Sequence, residues 1–215
     1  DDPHKVAQLI WEDSEYYMAA NGGVMRTSIL SVLPFVGEED PRVMMDREPL
    51  SFYKSVQRIC NATHYDPRCV ISCWVQCYMC KYAILAHVTG QGIGHDRLVK
   101  LVSLLKTVSK MLLGPVYDDT KGFKRTADED LHELCKFIDR SNDLARLALD
   151  KKPEIGYTYK CVACMVWVYR VICQSQTDKE EIDFEEIIMD VIMEGGDADT
   201  NGAVSGALLG AYLGY

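Results

Sequence analysis

Apolar residues recur every three or four positions along most of this chain, which is the period of helices packed on one side. Val6, Leu9 and Ile10, followed by Tyr16 and Tyr17, predict an amphipathic first helix opening at Asp2-Pro3. An aspartate there can cap free N–H groups, and a proline at the first helical position lacks only an N–H that would be unpaired anyway. The same pair at Asp40-Pro41 and Asp66-Pro67 marks two further helix starts, with Pro49 interrupting the segment after Asp40. Residues 67 to 87 are apolar with little charge and predict a central, buried helix. Residues 95 to 113 predict another helix, with Leu98, Leu101, Val102, Leu105 and Val108 on its apolar side. Residues 114 to 130, broken by Gly114, Pro115 and Gly122, predict a long surface loop. Helices are predicted again over 131 to 149, 157 to 173 and 184 to 193, with an exposed polar link over 174 to 181. No Asn-Gly pair stands between alternating runs, so strand hairpins are not predicted and the fold class is all-α.

The last helix adds a different pattern. Gly202, Gly206, Gly210 and Gly214 fall four apart, with Ala203, Ala207 and Ala211 beside them. Each glycine costs about 1 kcal/mol of helix propensity relative to alanine. Close packing of another backbone must offset that cost, so this helix is expected to thread through the middle of a bundle.

Composition narrows the classes. A chain of 215 residues, 48% hydrophobic, is expected to form one domain spanning 1–215 with a sizeable core. A net charge of −9 argues against nucleic acid or an anionic membrane as partner. No run of about 18 apolar residues predicts a membrane span. Nine cysteines, with Cys69, Cys73, Cys77 and Cys80 at helical spacing, read as small buried hydrophobes in an intracellular, reducing compartment, most simply the cytoplasm. A zinc site from Cys77-x-x-Cys80 and Cys161-x-x-Cys164 is the sharper alternative, but both pairs lie within long apolar segments.

Three stretches carry candidate chemistry. The densest is Glu194-Gly195-Gly196-Asp197-Ala198-Asp199-Thr200-Asn201. Its glycines end one helix and permit an unusual turn. Asp197, Asp199 and Thr200 then present hard oxygen donors suited to magnesium at the start of the next helix. The alternative is that Asp197 or Asp199 merely caps that helix. The second stretch is Asn21-Gly22-Gly23-Val24-Met25-Arg26, where the glycines allow close backbone approach and Asn21 offers donors and an acceptor, or simply a cap. In the third, Thr63-His64-Tyr65-Asp66-Pro67, His64 either faces a cleft or is an ordinary loop residue.

Together, in this order, the three stretches resemble the ADP-ribosylglycohydrolase family, of the dinitrogenase reductase-activating glycohydrolase type. Gly156-Tyr157-Thr158 and Phe184-Glu185-Glu186 agree with that family as well, so the resemblance covers nearly the whole chain. It implies a single-domain orthogonal helical bundle with two magnesium ions in a central cleft. It implies hydrolysis of the bond between ADP-ribose and an acceptor such as a protein side chain. By resemblance, Asp197, Asp199 and Thr200 are metal ligands. Asn21, Gly22 and Gly23 line the ADP-ribose cleft, and His64 stands near the substrate. The family also carries a Thr-Asp-Asp-Thr metal motif and a catalytic acidic residue before its Asn-Gly-Gly stretch. Neither precedes Asn21 here, and Tyr117-Asp118-Asp119-Thr120 is out of order and reads as a solvated turn. The bundle is thus expected to lack its N-terminal helices, and a further protein chain could complete it. Two functions follow: a magnesium-dependent hydrolase releasing ADP-ribose, or a catalytically inactive relative with a binding or structural role in an assembly.

Overall fold

The computed structural model describes residues 2–35, 50–94, 96–120 and 122–215. Every regular element among the described residues is a helix, as the apolar period predicts. The expected helix start at Asp40-Pro41 and the interruption at Pro49 lie outside them.

Helix α1 (Pro3–Asp13) opens as expected, with Asp2 accepting from the His4 N–H at 3.0 Å. Its buried side is not the expected one. Ala7 and Trp11 face the core, while Val6, Leu9 and Ile10 are exposed. Trp11 sets the orientation. Its Nε1–H donates to the buried Asp66 carboxylate at 3.0 Å, and its ring packs edge-on against Tyr16 and Phe123. A large aromatic with a polar handle buries more surface than any one of the three aliphatics.

The short helix α2 (Gly22–Met25) leads into a 3-10 segment, Ser28–Phe35, and α3 (Leu50–Asn61) follows. Helix α4 (Pro67–Thr89) is the expected central helix. Asp66 caps it by accepting from the Arg68 N–H at 2.9 Å, and Gly90, at φ +67°, ends it. This helix is long and apolar enough to cross a membrane, which corrects the expectation that no such segment exists. Nearly all of it is buried against neighbouring helices, so its lack of charge reflects enclosure on every side.

The expected loop over 114 to 130 is largely helix. Helix α5 (Asp96–Asp119) runs straight through Gly114-Pro115. Gln57 of α3 donates to the Leu112 carbonyl at 3.3 Å, satisfying an acceptor in the turn the proline disturbs. Tyr117, expected in a solvated turn, donates instead to Asp130 at 2.6 Å. The true break is short. Thr126 closes it with a capping box to Glu129 and starts α6 (Ala127–Arg140), which a second 3-10 segment, Leu144–Leu147, follows. Helix α7 (Thr158–Asp178) extends five residues past the predicted end at Cys173, into the expected polar link.

Helices α8 (Phe184–Met193) and α9 (Ala198–Leu213) complete the bundle. α9 packs against α4, α7 and α8 at once, the central position its small residues predict. A side-chain carbon on Gly202 would meet Ile192, and one on Gly206 would meet Phe184 and Ile188, so α8 lies along the bare stripe. All nine cysteines are free thiols and eight are buried. Cys77 donates to the Thr27 carbonyl at 3.1 Å, and Cys161 and Cys164 face Thr200 and Ser205 of α9.

Candidate functional site

The turn between α8 and α9 is built by its two glycines. Gly195 and Gly196 sit at φ +73° and +68°, where other residues are strained. A side-chain carbon on Gly196 would lie 2.2 Å from the Leu149 carbonyl oxygen. The turn is therefore pressed backbone to backbone against the segment before α7. Asp197 occupies the cap position of α9, yet its side chain caps no N–H of that helix. Its carboxylate accepts from Asn21 Nδ2 at 2.7 Å instead. Asp199 accepts from the N–H of its neighbour Thr200 at 2.8 Å, and Thr200 itself is buried. The neighbouring Asp197 side chain, and then the Thr200 N–H, hold the Asp199 carboxyl below the usual carboxylate range.

Asn21 reaches Asp197 across 176 residues because two segments are tied beside it. The Asn21 N–H donates to the Gly156 carbonyl and the Thr158 N–H to the Ala19 carbonyl, both at 3.0 Å. This isolated antiparallel bridge, Ala20 with Tyr157, sets the loop before α2 against the turn before α7. Gly156, at φ +78°, faces the pair. A side-chain carbon there would lie 3.5 Å from Asp197 Oδ2 and 3.9 Å from Asn21 Oδ1. Asn21 stands at the cap position of α2 but, like Asp197, makes no side-chain cap. Both residues that could have been simple caps spend their side chains on each other.

On the other side of Asn21, the glycine pair lies under His64. A side-chain carbon on Gly22 would sit 3.0 Å from His64 Nε2, and one on Gly23 would sit 3.3 Å from Cys60 Sγ and 3.4 Å from His64 Cγ. Only glycine lets the ring lie so close. Burial and the charge of Arg26 push the His64 pKa down, which favours the neutral ring. The candidate residues are thus linked as neighbours, from His64 over Gly22 and Gly23 to Asn21 and Asp197.

A cleft of about 370 Å³ opens beside it, lined by Tyr17, Arg68, Glu133, Phe137, Gly156 and Tyr157 among others. Arg68 forms a two-pronged pair with the buried Asp66, through Nε at 2.9 Å and Nη2 at 2.7 Å. Burial opposes the Arg68 charge, but the hydrogen bonds and charge of Asp66 overcome it, leaving the guanidinium more basic than usual. Tyr157 donates to Glu133 at 2.7 Å, and burial followed by that bond pushes its phenol pKa up. Sequence reasoning did not single out Arg68, Glu133 or the Tyr157 side chain. Tyr157 appeared only within the Gly-Tyr-Thr flank, and nothing local marks the other two. Asp66 was read as a cap, and its second role with Trp11 and Arg68 needs the fold to be visible.

The donor set can be tested against a hard cation. Asp197 and Asp199 bring two carboxylates to the start of α9, and Thr200 follows on the same helical turn. Magnesium typically takes one or two carboxylates and completes its shell with water and substrate oxygens. These residues fit that pattern for one ion. Among the described residues, no group of three or more His, Cys, Asp or Glu side chains converges to hold a metal ion, at this turn or elsewhere.

No curated protein and no solved structure matches the chain. A family model does, over residues 3–215, and it is described as ADP-ribosylglycohydrolase. The helical bundle, the motif order and this match agree: the chain belongs to the ADP-ribosylglycohydrolase family, whose members are hydrolases known for metal-dependent activity.

Proposed function

We propose that this chain is a magnesium-dependent hydrolase that removes ADP-ribose from a modified acceptor, either a protein side chain or a related ADP-ribosyl compound. The observation that carries the reading is the 2.7 Å bond from Asn21 to Asp197. It joins two distant motifs through side chains that ordinary helix caps would have kept local. Asp197, Asp199 and Thr200 are the residues that would hold magnesium. When bound, the ion would orient ribose hydroxyls and lower the pKa of a water. The chain's own residues do the rest. Asn21 fixes the rotamer of Asp197. Gly22 and Gly23 let the His64 ring lie against the backbone next to Asn21. Gly156 keeps the space before Asp197 open. Arg68 and Tyr157, in the adjoining cleft, offer a cationic and an aromatic wall to the remainder of the ligand.

A second reading, binding without turnover, has one observation behind it. Two carboxylates and a hydroxyl hold magnesium only together with water, ligand or groups from outside these elements. One experiment separates the two readings. The chain is incubated with magnesium and an ADP-ribosylated peptide, and free ADP-ribose is followed by chromatography, with a chelator and Asp199→Asn as controls. Release that both controls abolish supports the hydrolase. Peptide binding without release selects the binding subunit, and neither binding nor release overturns both.

A further inference from the structure

The two ring nitrogens of His64 have different surroundings. Nδ1 lies 2.7 Å from Thr63 Oγ1. Nε2 has no hydrogen bond to a described residue and lies against the backbone of Gly22. The Thr63 hydroxyl is itself held, because Arg26 Nη2 donates to Thr63 Oγ1. The same guanidinium nitrogen donates to the carbonyls of Ile59 at 3.2 Å and Cys60 at 3.3 Å. Those carbonyls belong to the last turn of α3, where helix acceptors lack intrahelical partners and a cation meets the negative end of the helix. Arg26 is thus anchored at the end of α3 and turned towards Thr63.

A guanidinium has no acceptor to offer, so Thr63 Oγ1 must accept from it. The hydroxyl proton then points away from the cation and is free to be donated to His64 Nδ1, 2.7 Å away. In that arrangement each bond polarises the next. A ring nitrogen that accepts carries no proton, so the neutral ring keeps its proton on Nε2. We propose that Arg26 and Thr63 are positioning residues that fix His64 as the Nε2–H tautomer, making it a hydrogen-bond donor to an anionic oxygen of a ligand bound beside Gly22. Burial and the Arg26 charge, which lower the ring's pKa, act in the same direction by keeping it neutral. Cys60 Sγ donates to the His64 carbonyl at 3.4 Å, which leaves the ring untouched. His64 in this role holds a proton rather than exchanging it. The identity of the ligand oxygen rests on the ADP-ribose reading, whereas the tautomer does not.

The test is long-range proton–nitrogen correlation NMR on the ¹⁵N-labelled chain at a pH above the ordinary histidine value. The His64 signals are identified by their loss in His64→Gln. The expected result is Nε2 protonated and Nδ1 unprotonated. Thr63→Val should then give a mixture of tautomers and raise the His64 pKa towards 6.5, and Thr63→Ser should restore the first pattern. A protonated Nδ1 in the unaltered chain overturns the proposal, and that spectrum decides even if a variant fails to fold. A Thr63→Val pattern unchanged from the parent overturns it too. Adding ADP-ribose, then inorganic pyrophosphate, tests the donor role. A shift of the Nε2–H signal with either supports that role, and a shift with pyrophosphate alone supports it while refuting ADP-ribose as the ligand. No shift with either refutes the donor role.

Discussion

Asn21 and Asp197 show what a single residue can reveal and conceal. Both sit where a helix cap belongs, and local pattern alone cannot separate a cap from a ligand. In the structure neither side chain caps its helix, and each finds the other. Removing the Asn21 amide frees the Asp197 carboxylate to turn. A hydrogen bond to a charged group contributes about 1.5–3 kcal/mol. Asn21→Ala should therefore weaken magnesium-dependent ADP-ribose binding by about 10- to 100-fold, read by titration, while the circular dichroism spectrum stays unchanged. His64 makes a second prediction. Its folded pKa is lowered by burial and by Arg26, so the unfolded chain takes up this proton first as pH falls below 6.5. The unfolded state then binds more protons, and stability contributed by the neutral ring is lost on the acid side. The urea midpoint should fall less between neutral pH and the acid side of that window in His64→Gln than in the parent chain. Arg26 lay within a motif quoted from the sequence, yet its task stayed hidden, because its acceptors lie 33 to 37 residues away.

At the scale of elements, helices whose apolar face is continuous were legible in the chain. α4 and α7 are so apolar that burial was the only consistent reading, and the four-residue glycine spacing placed α9 at the centre. Two misreadings share one cause, tertiary contact overriding local preference. Pro115 does not end α5, because Gln57 and the Tyr117–Asp130 bond hold the helix together around it. The apolar side of α1 is set by Trp11 reaching Asp66 rather than by its three aliphatics. The glycines also divide into two kinds. Gly206 has ordinary contact room, its would-be side-chain carbon 3.7 Å from Phe184 and 3.9 Å from Ile188. Gly196 has neither the room nor a tolerant φ. Gly206→Ala should hold or raise stability by up to about 1 kcal/mol through helix propensity. Gly196→Ala should lower it by more than about 2 kcal/mol. Chemical denaturation of both variants checks the contrast, which shrinks to the φ strain alone if the turn is not pressed against Leu149.

At the scale of the molecule, charge is buried beside the candidate site. Asp66 and Arg68 form an enclosed pair linking α1 to the start of α4, and Tyr16 offers its carbonyl to Arg68 at 3.3 Å. Asp66→Ala leaves a buried guanidinium without its partner, a change that costs about 3–5 kcal/mol, so the variant's urea midpoint should drop sharply. Family membership and the all-α architecture were readable in the order of three motifs. The cleft wall from Arg68, Glu133 and Tyr157 was not, because it assembles from three segments with no shared pattern. The central claim is that Asn21, Gly22, Gly23, His64, Asp197, Asp199 and Thr200 form one magnesium-dependent ADP-ribose site. Its most direct test is calorimetric titration of this chain with ADP-ribose, with and without magnesium, alongside Asp197→Ala. The account predicts binding heat that needs magnesium and disappears in the variant. No heat from the folded chain under either condition, or equal heat from Asp197→Ala, would contradict it.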